Sequence, residues 1–363
     1  MQDAAANRKP VCVRGAGSKS WLSHATRAEV APEVLDMRPL AGIVDYEPTE
    51  LVVTVRAGTP LAELEQVLAT KGQCLPFEPP RFARGGAAAT VGGMIAAGLS
   101  GPGRLGAGAV RDYVLGALLL NGRGELLNFG GKVMKNVAGF DVARMLVGSM
   151  GSLGAICEVS LKVLPRQPAE ATLVFDFDKD RAIHQVNAWC AQPLPVSASA
   201  WLRDGDGEGQ GRLHLRLRGA RAAVAAACDR LGGDRLDDAQ AERFWDALRE
   251  HTHPWFAPTW AQPGAAGETL WRLALPSTTP ALKLHGSTLI EWGGAQRWLQ
   301  TALPAAVVRE AVAQAGGHAT CFRGGDASTP VFTPPAPPLD RIHHQVKRAF
   351  DPEGVFPTLF ASH

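Results

Sequence analysis

The sequence predicts an α+β protein, a two-lobed glycine-rich part followed by an antiparallel sheet with helices, and three observations carry that prediction. Arg81 to Pro165 holds close to half of the chain's 40 glycines, punctuated by short polar signals between strand-like apolar runs. A strand pattern at Pro10-Val11-Cys12-Val13 runs directly into Arg14-Gly15-Ala16-Gly17-Ser18. From Thr172 onward strand and helix patterns alternate, after prolines at Pro165 and Pro168 that mark a boundary. The expected organisation is a first domain over 1–168, with lobes of about 1–75 and 76–168. An α+β domain over 169–328 and a linker with a last amphipathic helix over 329–363 complete it.

In the first domain, strand signals at Val11 to Val13 and Leu51 to Val55 flank a stretch with little periodicity. Thr59-Pro60 then starts a helix, with proline at the first helical position, Leu61, Leu64 and Leu68 on one face, and Gly72 as the stop. Thr90 is placed to cap a short helix over Met94 to Ala97. Tyr113 to Leu120 reads as a buried strand, and Asn121-Gly-Arg-Gly124 as a hairpin turn into Glu125 to Phe129. Asp141 begins a short helix carrying Val142, Met145 and Leu146, Gly151 to Gly154 breaks it, and Ile156 to Val163 forms a last strand.

Beyond the boundary, strands are expected at Thr172–Phe177, Leu213–Leu217, Thr269–Leu275, Ser287–Glu291 and Ala319–Arg323. Helices are expected at Asp180–Cys190, Ala220–Leu231, Ala239–Glu250 and Pro304–Ala315. This alternation suits an antiparallel sheet covered by helices on one face. The run Asp204 to Gly211 lacks the glutamate that closes a calcium loop and reads as a hairpin tip. A proline-rich linker, Thr329 to Pro338, leads to an amphipathic helix with Ile342, Val346 and Phe350.

Composition excludes several functions. A net charge of +2 with scattered arginines gives no electrostatic case for nucleic acid. The six cysteines form no C-x-x-C pair and read as buried free thiols in a reducing compartment, so neither zinc nor an iron–sulfur cluster is expected. With no apolar run long enough for a membrane span, the expected location is cytoplasmic, any membrane association being made through partner subunits.

The two glycine signals carry the chemistry. A strand ending in Gly-x-Gly-Ser exposes successive amides beside a hydroxyl and two cations, which suits a pyrophosphate. Thr90-Val91-Gly92-Gly93 offers a helix start with amides pointing outward, where an anion would fit; its alternative is a tight packing contact through small residues. Ser20 stands where a Rossmann fingerprint needs its third glycine, and Gly101-Pro-Gly103-Arg-Leu-Gly106 follows no strand. Gly131-Lys132 lacks the rest of a Walker sequence. FAD held by two separated loops is favoured over nicotinamide or ATP.

Arg14-Gly-Ala-Gly-Ser18, Thr90-Val-Gly-Gly93, Gly108-Ala-Val-Arg111-Asp112, Lys135-Asn-Val-Ala-Gly139-Phe-Asp141 and Gly148-Ser-Met-Gly-Ser-Leu-Gly-Ala-Ile156 occur in this order. In this the chain resembles the p-cresol methylhydroxylase and vanillyl-alcohol oxidase flavoproteins, and within them the FAD-binding subunits of bacterial glycolate oxidases. Leu75-Pro-Phe-Glu-Pro-Pro80, Ile290-Glu-Trp-Gly-Gly-Ala295 and Phe350-Asp-Pro-Glu-Gly-Val-Phe356 extend the resemblance over nearly the whole chain. It implies a PCMH-type FAD-binding domain with a cap domain, and non-covalent FAD. The FAD contacts it implies come from Arg14, Gly15, Ala16, Gly17, Ser18, Pro80, Thr90, Val91, Gly92, Gly93 and Gly98, then from Arg111, Asp112, Lys135, Asn136, Gly154 and Ile156. His24 is the one nearby candidate for a covalent link. Relatives carry one more helix before the first loop, whereas only ten residues precede Val11 here, as a shortened or misassigned start would leave. The resemblance implies that the tail over 329–363 returns to the FAD domain, where relatives end Asn-Pro-Gly-Arg and this chain has Phe356-Pro-Thr-Leu-Phe-Ala.

Oxidising a small 2-hydroxy acid on flavin needs a cation for the carboxylate and a base for the hydroxyl proton. The family's Gly-Glu-His-Gly segment is missing; His318 and Arg323 are the nearest polar group, with a strand-end structural pair as the alternative. His251-Thr-His253 precedes a loop and His343-His344 shares a helix face without an i, i+4 partner, so no metal site is expected. The resemblance implies a larger FAD-binding glycolate oxidase subunit and an iron–sulfur subunit as partners. A free-standing lactate-type dehydrogenase, and an assembly subunit whose flavin is structural or absent, are the alternatives.

Overall fold

The computed structural model describes residues 1–22, 32–83, 88–131, 141–203, 210–261, 268–325 and 329–360. The chain divides into two compact units. One comprises Met1–Ser100, Ala109–Arg166 and Pro334–His363, and the other Gly101–Gly108 and Gln167–Thr333. The contiguous division at 168 expected from sequence therefore overlooks Gly101–Gly108, eight residues from the glycine-rich zone that belong with the second unit.

The first unit is built on a five-stranded antiparallel sheet in the order Ile43–Glu47, Val52–Arg56, Ala155–Lys162, Val114–Leu120, Leu126–Gly130. Val52–Arg56 pairs with Ala155–Lys162 over five residues, so no lobe boundary falls near residue 75. The break lies earlier, between this sheet and the separate parallel pair Val11–Arg14 with Glu33–Asp36. Leu61, Leu64 and Leu68 recur at helical spacing and are fully buried against Val53, Val55 and Leu161. Pro60 caps that helix, one residue before the position expected of it, and Gly72 at φ 65° ends it. Thr90 caps Val91–Ala97, its hydroxyl accepting from the Gly93 amide at 3.3 Å.

The last helix, Pro337–Phe350, lays Val346 and Phe350 against this core. Asp351 then fastens the tail. Its carboxylate is buried and accepts from the amides of Val355 (2.9 Å) and Phe356 (2.8 Å), and it pairs with Lys347. Lys347 also donates to the carbonyls of Ser152 (2.8 Å) and Phe356 (2.9 Å). The tail reaches the first strand, where the Val11 amide donates to the Val355 carbonyl at 2.8 Å. Residues ahead of that strand form a short helix, Gln2–Asn7, whose Ala4 joins Val11, Val355 and Phe356 in a small apolar cluster.

In the second unit eight strands run antiparallel in the order Asp234–Arg235, Ala169–Phe177, Gly211–Gly219, Val196–Leu202, Ser287–Glu291, Gln296–Thr301, Thr269–Ala274, His318–Arg323. Val196–Leu202 supplies the strand expected ahead of the hairpin tip, whereas Gln296–Thr301 was not expected as a strand. One face buries Leu213, Leu215, Leu217 and Trp201 under the helices Lys179–Cys190 and Arg221–Leu231, and Trp271, Leu273 and Leu299 under Ala305–Gln314. The helices do not all share that face. Asp238–Arg249 lies on the opposite one, where Trp245 Nε1 donates to Thr172 Oγ1 at 2.9 Å and Phe244 stacks on His214 at 4.0 Å. Of the cysteines only Cys321 is buried and Cys190 is exposed, a correction to the expected set of buried thiols. Residues 204–209 of the expected hairpin tip lie outside the described residues.

Two outcomes follow from these packing arrangements. Asp351→Ala leaves a buried ammonium without its counter-ion and two amides without an acceptor. It is expected to destabilise the chain by about 3 kcal/mol, read as a lower urea midpoint. Burial, then Arg212 and His253, push His214 down to about 4. The unfolded chain therefore binds this proton more tightly. The stabilising contribution is complete above about pH 6.5 and is lost as pH falls through about 4, a change of about 3 kcal/mol. His214→Phe is expected to flatten the wild-type decline in urea midpoint between those pH values.

Candidate functional site

A cavity of about 360 Å³ opens in the first unit where three segments meet: Cys12 to Ser20, Thr90 to Ala97, and Met150 to Ile156. This is the size range of small-molecule sites. The strand Val11–Arg14 delivers the first segment, and its carbonyl at Arg14 accepts from the Met37 amide at 2.8 Å, fixing where the strand ends. The loop then turns through Gly17 at φ 74°. Among the described residues, the amides of Gly15, Ala16, Gly17 and Ser18 have no main-chain acceptor. Four successive donors beside Arg14 and Lys19 form a concavity for an oxyanion.

The second segment behaves differently from the sequence expectation. The Val91 amide donates to the Thr59 carbonyl at 2.9 Å and the Gly92 amide to the Ala57 carbonyl at 2.7 Å, while Gly93 is bound by its cap. These amides do not point outward. Gly92 instead permits close packing, since a Cβ there would stand 2.7 Å from the Ala57 Cβ. Gly92, Gly93, Ala96 and Ala97 share one helical face, and their lack of side chains leaves the cavity its volume. Gly15 rests on this helix start, because a Cβ at Gly15 would collide with Thr90 Oγ1. The two distant glycine turns thus converge.

The third segment turns on positive φ at Met150 (51°), Gly151 (77°) and Gly154 (152°). The Met150 amide donates to the Ala96 carbonyl at 2.9 Å, joining this wall to the helix. Val13, Val34, Met37 and Ile156 add apolar surface, and Val34 is 47% exposed. Basic, donor-rich loop beside apolar wall fits a dinucleotide with a diphosphate and flat rings.

Of the residues expected at the cofactor, Arg14, Gly15, Ala16, Gly17, Ser18, Thr90, Gly92, Gly93, Gly154 and Ile156 line this cavity. Val91 is buried in the core, and Pro80 is buried outside the lining. Gly98 ends the helix at φ 62°, where a Cβ would approach the Gly148 amide to 3.0 Å. Arg111 and Asp112 are exposed, and Asp112 accepts from the Ala109 amide at 2.7 Å. Lys135, Asn136 and His24 lie outside the described residues. Sequence reasoning missed Cys12, Met37, Ala57, Ala96, Ala97, Met150 and Gly151; the spacing of Ala96 and Ala97 from Gly92 and Gly93 was the available signal.

His318 and Arg323 occupy opposite ends of one strand, about 16 Å apart at strand rise. His318 is exposed. Arg323 is buried, stacked at 3.6 Å on Trp260, donating to Thr259 Oγ1 at 3.2 Å and bonded to His251 Nδ1. Burial, then Arg323 and Arg272, hold His251 well below the usual imidazole range. His253 Nδ1 accepts from the Trp255 amide at 3.2 Å. His344 does have a partner one turn back, Asp340 at 3.3 Å.

The model of the FAD binding domain family matches residues 1–130. Glycolate oxidase subunit GlcE of Escherichia coli (strain K12) is 42% identical over 356 residues, 98% of this chain and 93% of that protein. Glycolate oxidase subunit GlcD of Bacillus subtilis (strain 168) is 30% identical over 168 residues, 46% of this chain and 34% of that protein. Among solved structures, an alkyldihydroxyacetonephosphate synthase aligns with a TM-score of 0.64 at 13% identity, covering 98% of this chain and 73% of that one. The last likeness concerns the fold alone.

The unequal roles of the two glycine turns make a testable contrast. Gly15→Val is expected to cut bound flavin to roughly a tenth or less, measured as the ratio of 450 nm to 280 nm absorbance, with little change in melting temperature. Gly92→Ala is expected to lower stability by about 1–3 kcal/mol, because its added methyl meets Ala57. With 42% identity to GlcE across nearly its whole length and an FAD binding domain at its N-terminus, the chain belongs to the glycolate oxidase subunit GlcE family of flavoproteins and takes FAD as its cofactor.

Proposed function

We propose that this chain is the FAD-binding subunit of a glycolate oxidase complex, which oxidises glycolate to glyoxylate and passes the electrons to an iron–sulfur partner. A larger FAD-binding subunit completes the assembly, and this chain holds its own FAD non-covalently. The observation that carries the reading is the 42% identity to GlcE over both units, not only over the flavin-binding part. The D-lactate dehydrogenase of Anaerostipes hadrus, by contrast, matches over 47% of this chain. A free-standing lactate-type enzyme is accordingly the weaker reading.

Oxidation of glycolate to glyoxylate removes two electrons and two protons, and bound flavin supplies a two-electron acceptor. The chain's own residues account for holding it. The Gly15 to Ser18 amides with Arg14 and Lys19 would hold the diphosphate, replacing water on donors that meet no main-chain acceptor among the described residues. Val13, Val34, Met37 and Ile156 would cover the rings and exclude water from them. Among the described residues, the lining brings two cations and no carboxylate to this oxyanion.

The test is co-purification of the chain with its neighbours, followed by anaerobic addition of glycolate. Acid precipitation is expected to release the flavin into the supernatant, and glycolate is expected to bleach it in the assembly but not in the isolated chain. An isolated chain that oxidises glycolate or lactate with an artificial acceptor as fast as the assembly would overturn the proposal.

A further inference from the structure

One face of the eight-stranded sheet carries polar residues in register: Arg272 stands opposite Trp298 on one neighbouring strand and Thr320 on the other. Gln296, two residues from Trp298, shares that face, as does Glu291 opposite Gln296. These side chains form a chain of bonds with a defined direction. Trp298 Nε1 donates to Glu291 Oε2 at 2.6 Å, Gln296 Nε2 donates to the same oxygen at 3.0 Å, and Arg272 Nε donates to Gln296 Oε1 at 2.7 Å. The amide of Gln296 is thereby oriented, and it orients the guanidinium. Among the described residues, Nη1 and Nη2 of Arg272 meet no protein acceptor.

A second guanidinium stands close by. Arg104, on the Gly101–Gly108 segment, is 4.5 Å from the Trp292 ring, and Arg272 is 5.4 Å from the same ring. Trp292 is held by its own bond, Nε1 to the Gly101 carbonyl at 3.0 Å, and sits at φ 52°. The next amide, Gly293, donates to Ser199 Oγ at 2.9 Å and maintains that turn. Burial first and Arg104 second push Arg272 down to about 10, so it remains charged at neutral pH. Two like charges gathered at one indole, one of them presenting a fork of two donors, suit a planar anion of one carboxylate.

We infer that Arg272 and Arg104, positioned by Gln296 and Trp292, form a carboxylate-binding site of the second unit that takes the carboxylate of a small 2-hydroxy acid. This rests on the proposed function for the identity of the acid, and the bonding chain gives Glu291 and Gln296 positioning roles. It also replaces Arg323, which is engaged with His251, Thr259 and Trp260, as the arginine expected to meet substrate.

The test is calorimetric titration of glycolate and oxalate into the full-length, flavin-loaded chain. Wild type is expected to bind one equivalent, and neutral glycolamide is expected not to bind. Arg272→Gln should weaken glycolate binding by about 30-fold or more, Arg272→Lys by less, and Arg104→Gln by about 10-fold, with flavin content unchanged. Gln296→Leu should weaken it too, through loss of orientation, and the pH profile of binding should stay flat from pH 6 to 8. An unchanged dissociation constant in a folded Arg272→Gln chain overturns the inference, as does equal displacement of glycolate by chloride or sulfate. Should Arg272→Gln fail to fold, the Arg104→Gln constant decides. If glycolate bleaches the assembled flavin while Arg272→Gln binds normally, the site is wrong and the proposed function stands. Carboxylate binding that depends on both arginines without any bleaching leaves the site standing and sinks the function.

Discussion

The contact between Gly15 and Thr90 is what the cavity of the first unit depends on. Thr90 is fixed from several directions: it bridges to Pro60, its hydroxyl caps the helix, and its carbonyl accepts from the Met94 amide at 2.9 Å. Its neighbours are fixed as well, Leu61 donating to Ala89 at 2.7 Å and Val91 to Thr59 at 2.9 Å. A residue this constrained cannot yield to a side chain at position 15. Because no Cβ is present there, the Arg14 to Ser18 loop settles on the helix start and lines the cavity.

The rest of the first unit supports that contact by tying two walls of the cavity to the five-stranded sheet and the strand of the other to the tail. Ala57, at the end of the strand Val52–Arg56, donates to the Cys157 carbonyl at 2.9 Å and accepts from Gly92 at 2.7 Å, so one residue links two sheet strands to the helix. The helix in turn receives the Met150 amide from the third wall. The strand leading into the loop has only one parallel neighbour in its own small sheet and gains its remaining support from the tail through Val355. A two-stranded pair is marginal without such packing. This explains why a carboxylate as deeply buried as that of Asp351 is retained far from the cavity.

Much of this was legible from the residues. Leucine spacing gave the helix after Pro60, the Thr90 cap was expected from its position, and the Gly15 to Ser18 loop was found by its own composition. What sequence could not settle was where main-chain donors go. Gly92 and Gly93 look like an anion site for the same reason that they look like a packing contact, and only the bonds to Ala57 and Thr59 decide between the two. Pairing across a hundred residues was equally hidden, so Val52–Arg56 was assigned to a separate lobe from its partner Ala155–Lys162. The strand Gln296–Thr301 was missed because the polar Gln296, Arg297, Gln300 and Thr301 leave no apolar run or alternation to mark it, yet all four are buried. Their polar atoms are satisfied inside the fold: Arg297 donates to the carbonyls of Gly294 and Pro280, and Thr301 to that of His285.

That last error points to a physical difference between the two units. In the first, recognition is assigned to main-chain groups, and side chains are removed so that the backbone can approach. In the second, polar side chains are brought into a sheet face and matched to one another until a few donors are left over. Glycine composition announces the first arrangement, since a φ above zero or a close approach admits little else. Nothing in composition announces the second, because an arginine held by Gln296 and one held by His251 have the same letter. The distinction is made only by counting acceptors around each guanidinium. Arg323 meets a hydroxyl, an imidazole and an indole within the fold, whereas Arg272 turns its Nε to a glutamine and, among the described residues, its Nη1 and Nη2 meet no acceptor.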